Sequence, residues 1–513
     1  MARRAGSLTD RTIGGLLWML WGKGAHALFH LGILAVLARL LTPADFGVVS
    51  AALVVIGFSM IFSQIGLGPA LVQRPVLEQR HLDTAFVATM VFAALLGVSI
   101  AAGAPLVAGF FRSEALTPVL RWLALIFPLQ GLALVAESTA KRDLRFRWLA
   151  NSDVVTYALG YGVVGITLAL LGFGLWALVV AEIAKVSMRA IVLIAGQRVR
   201  PRVAWDRAAW RELMYFSGGF TIARVANYLA VQGDNLVVGR ALGPVALGIY
   251  GRAYQLMAAP ATGLGGMLDS VLFPAMAKVQ DDKVRLAGAY RRGVAMLAMV
   301  VMPLSAISYL IAPEIIRVAL GPSWDAAVLP FRVLAVGMLF RTSYKLSDSL
   351  SRATGSVYRR AWRQIVYAAL VIGGAMAGQR WGIGGVAVAV VGALAVNFGL
   401  MAQLSLQLTG MTWREFGRAH VPGLALAVVC TPAALGAVYA LRPIAPAAVV
   451  AIGVFGAAGA AALLFIRVAP GPFLGPDGAW MVETLRAFAR KRLAKGKHAQ
   501  AGLGPVRTAE PTS

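Results

Sequence analysis

The sequence predicts an all-α polytopic membrane protein of about fourteen transmembrane helices, built as two parallel six-helix repeats plus two extra C-terminal helices. Three observations predict it. Of 513 residues, 59% are hydrophobic and only 14% charged, against about 45–50% apolar and about 25% charged in a soluble domain. Apolar runs of roughly twenty residues recur from end to end, each long enough to cross a hydrocarbon core of about 30 Å. Finally, the nonapeptide Arg39-Leu-Leu-Thr-Pro-Ala-Asp-Phe-Gly47 returns at an offset of 201 as Arg240-Ala-Leu-Gly-Pro-Val-Ala-Leu-Gly248. The copies share the Arg, the third-position Leu, the Pro and the final Gly.

The spans fall near 13–38, 46–72, 84–109, 115–140, 153–172, 175–195, 212–238, 246–276, 289–312, 326–348, 361–378, 383–408, 420–441 and 445–466. Their connections alternate in charge. One set is rich in cations, from Arg3 and Arg4 through Arg142, Arg145 and Arg147, Arg200 to Arg211, Arg291 and Arg292, to Arg359 and Arg360. The other set holds at most one cation each, among them Arg39, Arg112, Arg240 and Arg317. Cytoplasmic loops accumulate Lys and Arg, so both termini are expected inside and the span count even. A net charge of +26 then follows from topology, and no nucleic-acid partner is implied.

In chain order, residues 1–196 form the first lobe. Arg3, Arg4 and the run from Ile13 ending at Ala25-His26-Ala27 imitate a signal peptide. The apolar run continues to Leu41 and has a mid-chain repeat partner, which marks it as a retained first span. A basic linker, 197–211, separates this lobe from a second at 212–410. With the offset held, Lys23 falls on Arg224 and His26 on Asn227, so both lobes open with a helix running the same way. Residues 411–470 add two spans without counterpart, in which Gly453, Gly456 and Gly459 suit close helix packing. Cys430, the single cysteine, excludes a disulfide framework and reads as a small packing residue. The tail 471–513 is basic. Its stretch Trp480–Leu493 spaces apolar residues among cations, the pattern of a helix on anionic membrane lipid.

Charge inside spans carries the functional reading, because a charge at bilayer depth costs at least a few kcal/mol and faces a bundle interior or a wet cavity. Glu182, Lys185 and Arg189 lie at i, i+3 and i+7 near one helix end, where they pair along the helix and snorkel. Three deeper stripes differ: Lys23, His26 and His30; Arg224, Asn227 and Asn235, with Gln232 and Asp234 beside them; and Arg341, Lys345 and Asp348. Arg224 lies roughly 12–15 Å from the inner end of its helix. The stripes are expected to share a basic cavity in which Lys23, Arg224, Arg341 and Lys345 hold an anion such as a lipid phosphate or diphosphate. Lys23, His26, Arg224, Asn227, Gln232, Asn235, Arg341 and Lys345 are thus the candidate substrate-binding residues. Asp234, Glu137 and Asp348 are the candidates for coupling an ion. Glu137, four residues before Lys141, also reads as a neutralising partner, and His30 as a packing residue.

Enzymatic chemistry finds no support. There is no Gly-x4-Gly-Lys-Ser/Thr run for ATP, no outer-loop cluster for a polymerase or ligase, and no residue set for a cofactor or a metal. Asp281-Asp282 reads as a helix N-cap.

Several stretches resemble one family. ARLLTPADFGVVSAALVV, KRDLRFRWLANSD, GDNLVVGRALGPVALGIYGRAYQLMAAP, FPAMAKVQDD and LGPSWDAAVLPFRVLAV are similar to bacterial oligosaccharide flippases. These are the polysaccharide transport members, of the colanic and teichuronic acid exporter type, of the multidrug/oligosaccharidyl-lipid/polysaccharide exporter superfamily. The resemblance covers about residues 11–410. It implies two six-helix lobes around a cavity of alternating access. It also implies movement of undecaprenyl diphosphate-linked oligosaccharide across the bacterial inner membrane for surface polysaccharide assembly, alongside other assembly proteins. The rival readings are an ion-coupled multidrug exporter and a membrane polysaccharide polymerase or ligase. A drug exporter for cations calls for an acidic cavity, and a polymerase for a large outer loop.

Arg224→Ala is expected to abolish surface polysaccharide while the protein inserts at normal levels; wild-type polymer output from that variant would remove the arginine from the site.

Overall fold

The runs expected to span are largely helical where the computed structural model describes them, namely residues 29–63, 66–197, 201–214, 221–480 and 483. Lys23 and His26 lie outside the described residues. Among those described, eight helices are long and apolar enough to cross a membrane, or nine with one bent pair. The first half comprises α1 (Phe29–Leu40), α2 (Pro43–Ser63), α3 (Leu67–Gln73), α4 (Gln79–Phe111), α5 (Leu116–Leu123), α6 (Ile126–Arg142) and α7 (Phe146–Tyr157). A π-helical segment, Ala158–Gly165, links α7 to α8 (Ile166–Leu170), and α9 (Leu175–Ala195) follows. Because α9 carries Glu182, Lys185 and Arg189, it is long enough to span without being uniformly apolar.

After α10 (Arg207–Met214), the chain forms α11 (Thr221–Lys278), which is two helical arms around Gly243. Gly243 has φ 84 and ψ 178, a conformation open to glycine because a Cβ would clash. Pro244 then opens the second arm with its φ already helical. The second half continues through α12 (Lys283–Leu310), α13 (Ala312–Ala319), α14 (Val328–Val336), α15 (Met338–Ala353), α16 (Val357–Gly378) and α17 (Gly382–Thr409). α18 (Trp413–Leu441) and α19 (Ala447–Val468) complete the named helices.

Three expected single spans are interrupted. Gly66, at φ 69, separates α2 from α3, Leu123 and Ile126 bound the break between α5 and α6, and α14 meets α15 at 47°. Hydropathy averages over such breaks, which leave the apolar run unbroken.

The repeated turns explain how the halves meet. In the first copy, Thr42 Oγ1 accepts from the Asp45 N–H at 3.2 Å while Asp45 Oδ2 accepts from the Thr42 N–H at 2.9 Å, starting α2 with Pro43 in its first turn. This is the reciprocal logic of a capping box. The two copies then press on each other. A Cβ on Gly47 would lie 1.8 Å from the Pro244 carbonyl oxygen, and one on Gly248 would lie 2.0 Å from that of Pro43. Pro43 and Gly47 sit at the offset of Pro244 and Gly248, so the contact is reciprocal, and α2 lies along α11. The same end is closed by Trp324, whose Nε1 donates to Ala38 O at 2.8 Å, and by Arg39, whose guanidinium donates to Val318 O at 2.6 Å.

At the opposite end, the expected linker is held by the first half. Glu212 accepts from the fully buried His81 at 3.0 Å and pairs with Arg74. Asp83 accepts from the Arg202 N–H at 2.7 Å, and Thr84 from the Asp206 N–H at 3.0 Å. α10 therefore crosses the expected boundary at 211 and packs on α3 and α4.

The final pair docks on the second half. Gly423 brings α18 against the backbone of Ala298 in α12. Of the three glycines expected to pack helices, only Gly453 meets a neighbour, Leu441; Cβ atoms on Gly456 and Gly459 would meet nothing within 4 Å. The buried face of α19 is instead Val450, Val454 and Ala458. Cys430 packs there, its thiol 3.4 Å from Ala458 O. Asp282 caps α12 by accepting from the Val284 and Arg285 N–H groups, both at 3.1 Å, as the sequence predicts. The helical turns at 470–480 fold back, burying Phe473 and Leu474 and pairing Asp477 with Arg291 at 3.1 Å.

Gly47→Ala and Gly248→Ala are each expected to cost about 1–3 kcal/mol through overpacking at rigid backbone, whereas Gly109→Ala, in open space, is neutral. Thermal midpoints of the purified protein measured by size exclusion check this.

Candidate substrate site

The charged side chains inside the bundle form two groups with different chemistry. In the second half, Asp234 on the first arm of α11 is buried, its Oδ2 accepting from Tyr250 Oη at 2.7 Å and its Oδ1 from the Asn235 N–H at 2.8 Å. Tyr250 lies on the second arm, so this bond ties the arms across the Gly243 bend. Arg341 on α15 stands within electrostatic reach of Asp234. It is 6% exposed, with its guanidinium 5.7 Å from the Tyr254 ring centroid and 5.5 Å from that of Tyr344. Aromatic faces of this kind stabilise a cation without neutralising it. One turn on, Lys345 packs over Gly265 and donates to Ala261 O at 3.4 Å.

Other predicted residues separate from this cluster. Gln232 and Asn235 bond each other at 2.6 Å, and Asn227 is exposed. Asp348 pairs with Arg352 at 3.2 Å and also with Arg360. The side chain of Arg224 lies outside the described residues.

The first half holds the second group. Glu137 pairs with Lys141 at 2.6 Å, the predicted neutralising contact, and with Arg189 at 2.8 Å. Arg189 also reaches Asp153 at 2.6 Å. The expected i, i+3, i+7 arrangement therefore divides. Glu182 and Lys185 do pair along α9 at 2.7 Å, but Arg189 is turned to α6 and α7, because their carboxylates approach it from across the bundle. Tyr161 donates to Glu182 at 2.8 Å. His30, Tyr157 and Tyr161 form a stack with centroid separations of 4.3 and 5.1 Å, which gives His30 the packing role expected of it.

These residues line two adjoining cavities that share Tyr157, Glu182 and Lys185. One, of about 440 Å³, lies among α6, α7 and α9 and includes Gln130, Glu137, Asp153 and Arg189. The other, of about 190 Å³, lies at the seam with the second half and includes His30, Arg252 and Gln255. Arg252 comes from the second arm of α11. Its guanidinium stands 4.7 Å from the Phe46 ring centroid, with one nitrogen 3.4 Å from Ser50 Oγ and another bonded to Gln255. Sequence reasoning missed this arginine as a site residue. Its signal was a cation between Gly251 and Ala253 in an apolar run, but α2, which supplies the ring beside it, is two hundred residues away.

Charged cavities in an all-helical bundle of membrane-spanning length define a polytopic membrane protein with a polar interior. The fold is that of the solved structure of the Lipid II flippase MurJ in its inward closed conformation, with a TM-score of 0.71 and 11% identity, covering 88% of this chain and 99% of that one. The chain belongs to the polysaccharide biosynthesis protein family, whose model matches residues 36–329. It is 24% identical over 351 residues to the teichuronic acid biosynthesis protein TuaB of Bacillus subtilis, covering 68% of this chain and 72% of TuaB. It is 28% identical over 306 residues to the succinoglycan biosynthesis transport protein ExoT of Rhizobium meliloti, covering 59% of this chain and 62% of ExoT.

Removing one partner of the Glu137–Arg189 pair strands the other charge. Glu137→Ala is expected to cost about 1–3 kcal/mol, a range reduced for partial exposure, and the double variant Glu137→Gln/Arg189→Gln less than that single one. Thermal midpoints of the three proteins check this.

Proposed function

We propose that this protein is a flippase that moves an undecaprenyl diphosphate-linked oligosaccharide repeat unit from the cytoplasmic to the periplasmic leaflet of a bacterial inner membrane. The observation that carries the reading is a set of interior cations without ionic partners. Among the described residues, no carboxylate comes within ion-pair distance of Arg252, Arg341 or Lys345, whose contacts are hydroxyls, amides, carbonyls and rings. An uncompensated cation at bilayer depth is costly, and an incoming diphosphate removes that cost. Arginine's planar fork suits phosphate oxygens. Lys23 and Arg224 complete the cationic set in this reading, with Asn227, Gln232 and Asn235 hydrogen-bonding sugar.

The acidic residues act mainly as balance. Glu137 and Asp348 are each engaged by two cations, and Asp234 is held by Tyr250 near Arg341. Residues 1–196 and 212–410 act as two six-helix lobes that rock about the seam at Gly47 and Gly248, exposing the site to each leaflet by turns. The linker 197–211 joins them, 411–470 is an added pair, and the tail 471–513 lies in the cytoplasm with the N-terminus. The basic loops offer the docking faces for other assembly proteins. Transport, with no chemical step, is the whole activity.

In proteoliposomes carrying a fluorescent undecaprenyl diphosphate-linked oligosaccharide, Arg252→Gln and Arg341→Gln are each expected to slow leaflet exchange roughly tenfold or more, the scale of a lost charge-assisted contact. Exchange at the wild-type rate in both correctly inserted variants would overturn the assignment.

A further inference from the structure

The cavity of about 440 Å³ among α6, α7 and α9 has a chemistry distinct from that of the unpaired cations. Its carboxylates, Glu137, Asp153 and Glu182, are matched by Lys141, Arg189 and Lys185. Each carboxylate of the wall is ion-paired, leaving no free charge to draw an anion, and the charged and polar side chains outnumber the apolar Leu129, Ala133, Val186 and Ala190. Such a wall offers acceptors and donors side by side, which is what a neutral, hydroxyl-rich ligand requires. The volume lies within the range of roughly 300–1,000 Å³ usual for small-molecule sites.

Two side chains are unspent. Among the described residues, neither the half-buried Gln130 amide nor the Tyr157 hydroxyl has a hydrogen-bond partner, though both line this cavity. A half-buried amide without a partner in a charged chamber is a vacant donor and acceptor. The backbone beside them is distorted as well. Tyr157 is the last residue before the π-helical segment Ala158–Gly165, which presses on α9 closely enough that a Cβ on Gly160 would lie 2.7 Å from Lys185 Cβ. π-helical turns occur often at functional sites because they shift side chains off the α-helical register. Tyr157, Glu182 and Lys185 also line the seam cavity of Arg252, so the chamber continues from the place where a diphosphate would sit.

We infer that this chamber is a sugar-recognition subsite that takes a neutral pyranose of the lipid-linked substrate, with Gln130 and Tyr157 bonding its hydroxyls. The inference rests on the flippase reading and adds to it where the sugar is read. Diphosphate contacts come from the cations at the seam and in the second half. Discrimination between repeat units comes from α6, α7 and α9.

The test measures binding of the full-length protein in nanodiscs to undecaprenyl diphosphate and to its glucosyl, galactosyl and N-acetylglucosaminyl derivatives. Gln130→Leu and Tyr157→Phe are chosen because neither removes a hydrogen bond within the protein, and Phe keeps the ring stack. Wild type is expected to bind at least one glycosylated probe more tightly than the bare lipid. Each variant is expected to lose roughly two- to tenfold on that probe, the scale of one hydrogen bond, and Gln130→Leu, at a residue that does not line the seam cavity, to leave bare-lipid affinity unchanged. Equal wild-type affinity for bare and glycosylated probes overturns the subsite, as do variants that keep the sugar preference, or a Gln130→Leu protein that weakens all probes alike. In those cases the flippase reading stands. Wild-type protein that binds no diphosphate probe overturns both.

Discussion

The two repeated turns meet at the distance of backbone contact, and much of the interior depends on that approach. Gly47 lies under the Pro244 carbonyl and Gly248 under that of Pro43, so no side chain separates α2 from α11 there. With α2 held along α11, Arg252 comes to lie beside Phe46 and Ser50. On the same side, Trp324 reaches Ala38 and Arg39 reaches Val318. A larger residue at either glycine would part the helices that form the seam cavity. The backbone contact of the two turns and the polar seam of Arg252 are thus neighbours along the same pair of helices.

Charge inside the bundle is handled in two ways. In the first-half chamber, Glu137, Asp153 and Glu182 share Lys141, Lys185 and Arg189, and each carboxylate is held by partners from its own or a facing helix. The result is a stiff polar chamber with little net field. In the second half, Arg341 and Lys345 are surrounded by tyrosines, carbonyls and small residues, with Asp234 nearby but bonded to Tyr250. Rings and carbonyl dipoles make such cations tolerable without cancelling them. One half therefore provides hydrogen-bonding variety and the other uncompensated positive charge. In the proposed reading, a substrate with a hydroxylated head and a charged link would engage both.

Local patterns in the chain were legible where their consequences stay local. Asp282 caps α12 because its side chain needs only the next turn's N–H groups. The Glu137–Lys141 pair follows from i, i+4 spacing, and the Glu182–Lys185 pair from i, i+3. The described apolar runs are mostly helical near their expected positions, since apolar length favours it, but three of the expected spans are broken. Breaks such as the one at Gly337 were hidden, because a bend at one residue hardly alters the average hydropathy of the run around it. Gly456 and Gly459 misled for a related reason. Small residues permit close approach, but the partner's position decides whether it happens, and α19 turns Val450, Val454 and Ala458 inward instead.

Composition, periodicity and the repeated turn thus determined by themselves that this is a polytopic helical membrane protein with cations inside its spans. Those properties depend on one residue at a time or on one turn of helix. Partner choice across helices was decided only by the tertiary structure. Arg189 leaves its own helix for Glu137 and Asp153, Asp234 bonds across the α11 bend, and Arg252 crosses the seam. A side chain's helical register fixes its direction from its own axis. What stands opposite depends on the rotation and spacing of a second helix, which interhelical packing alone supplies.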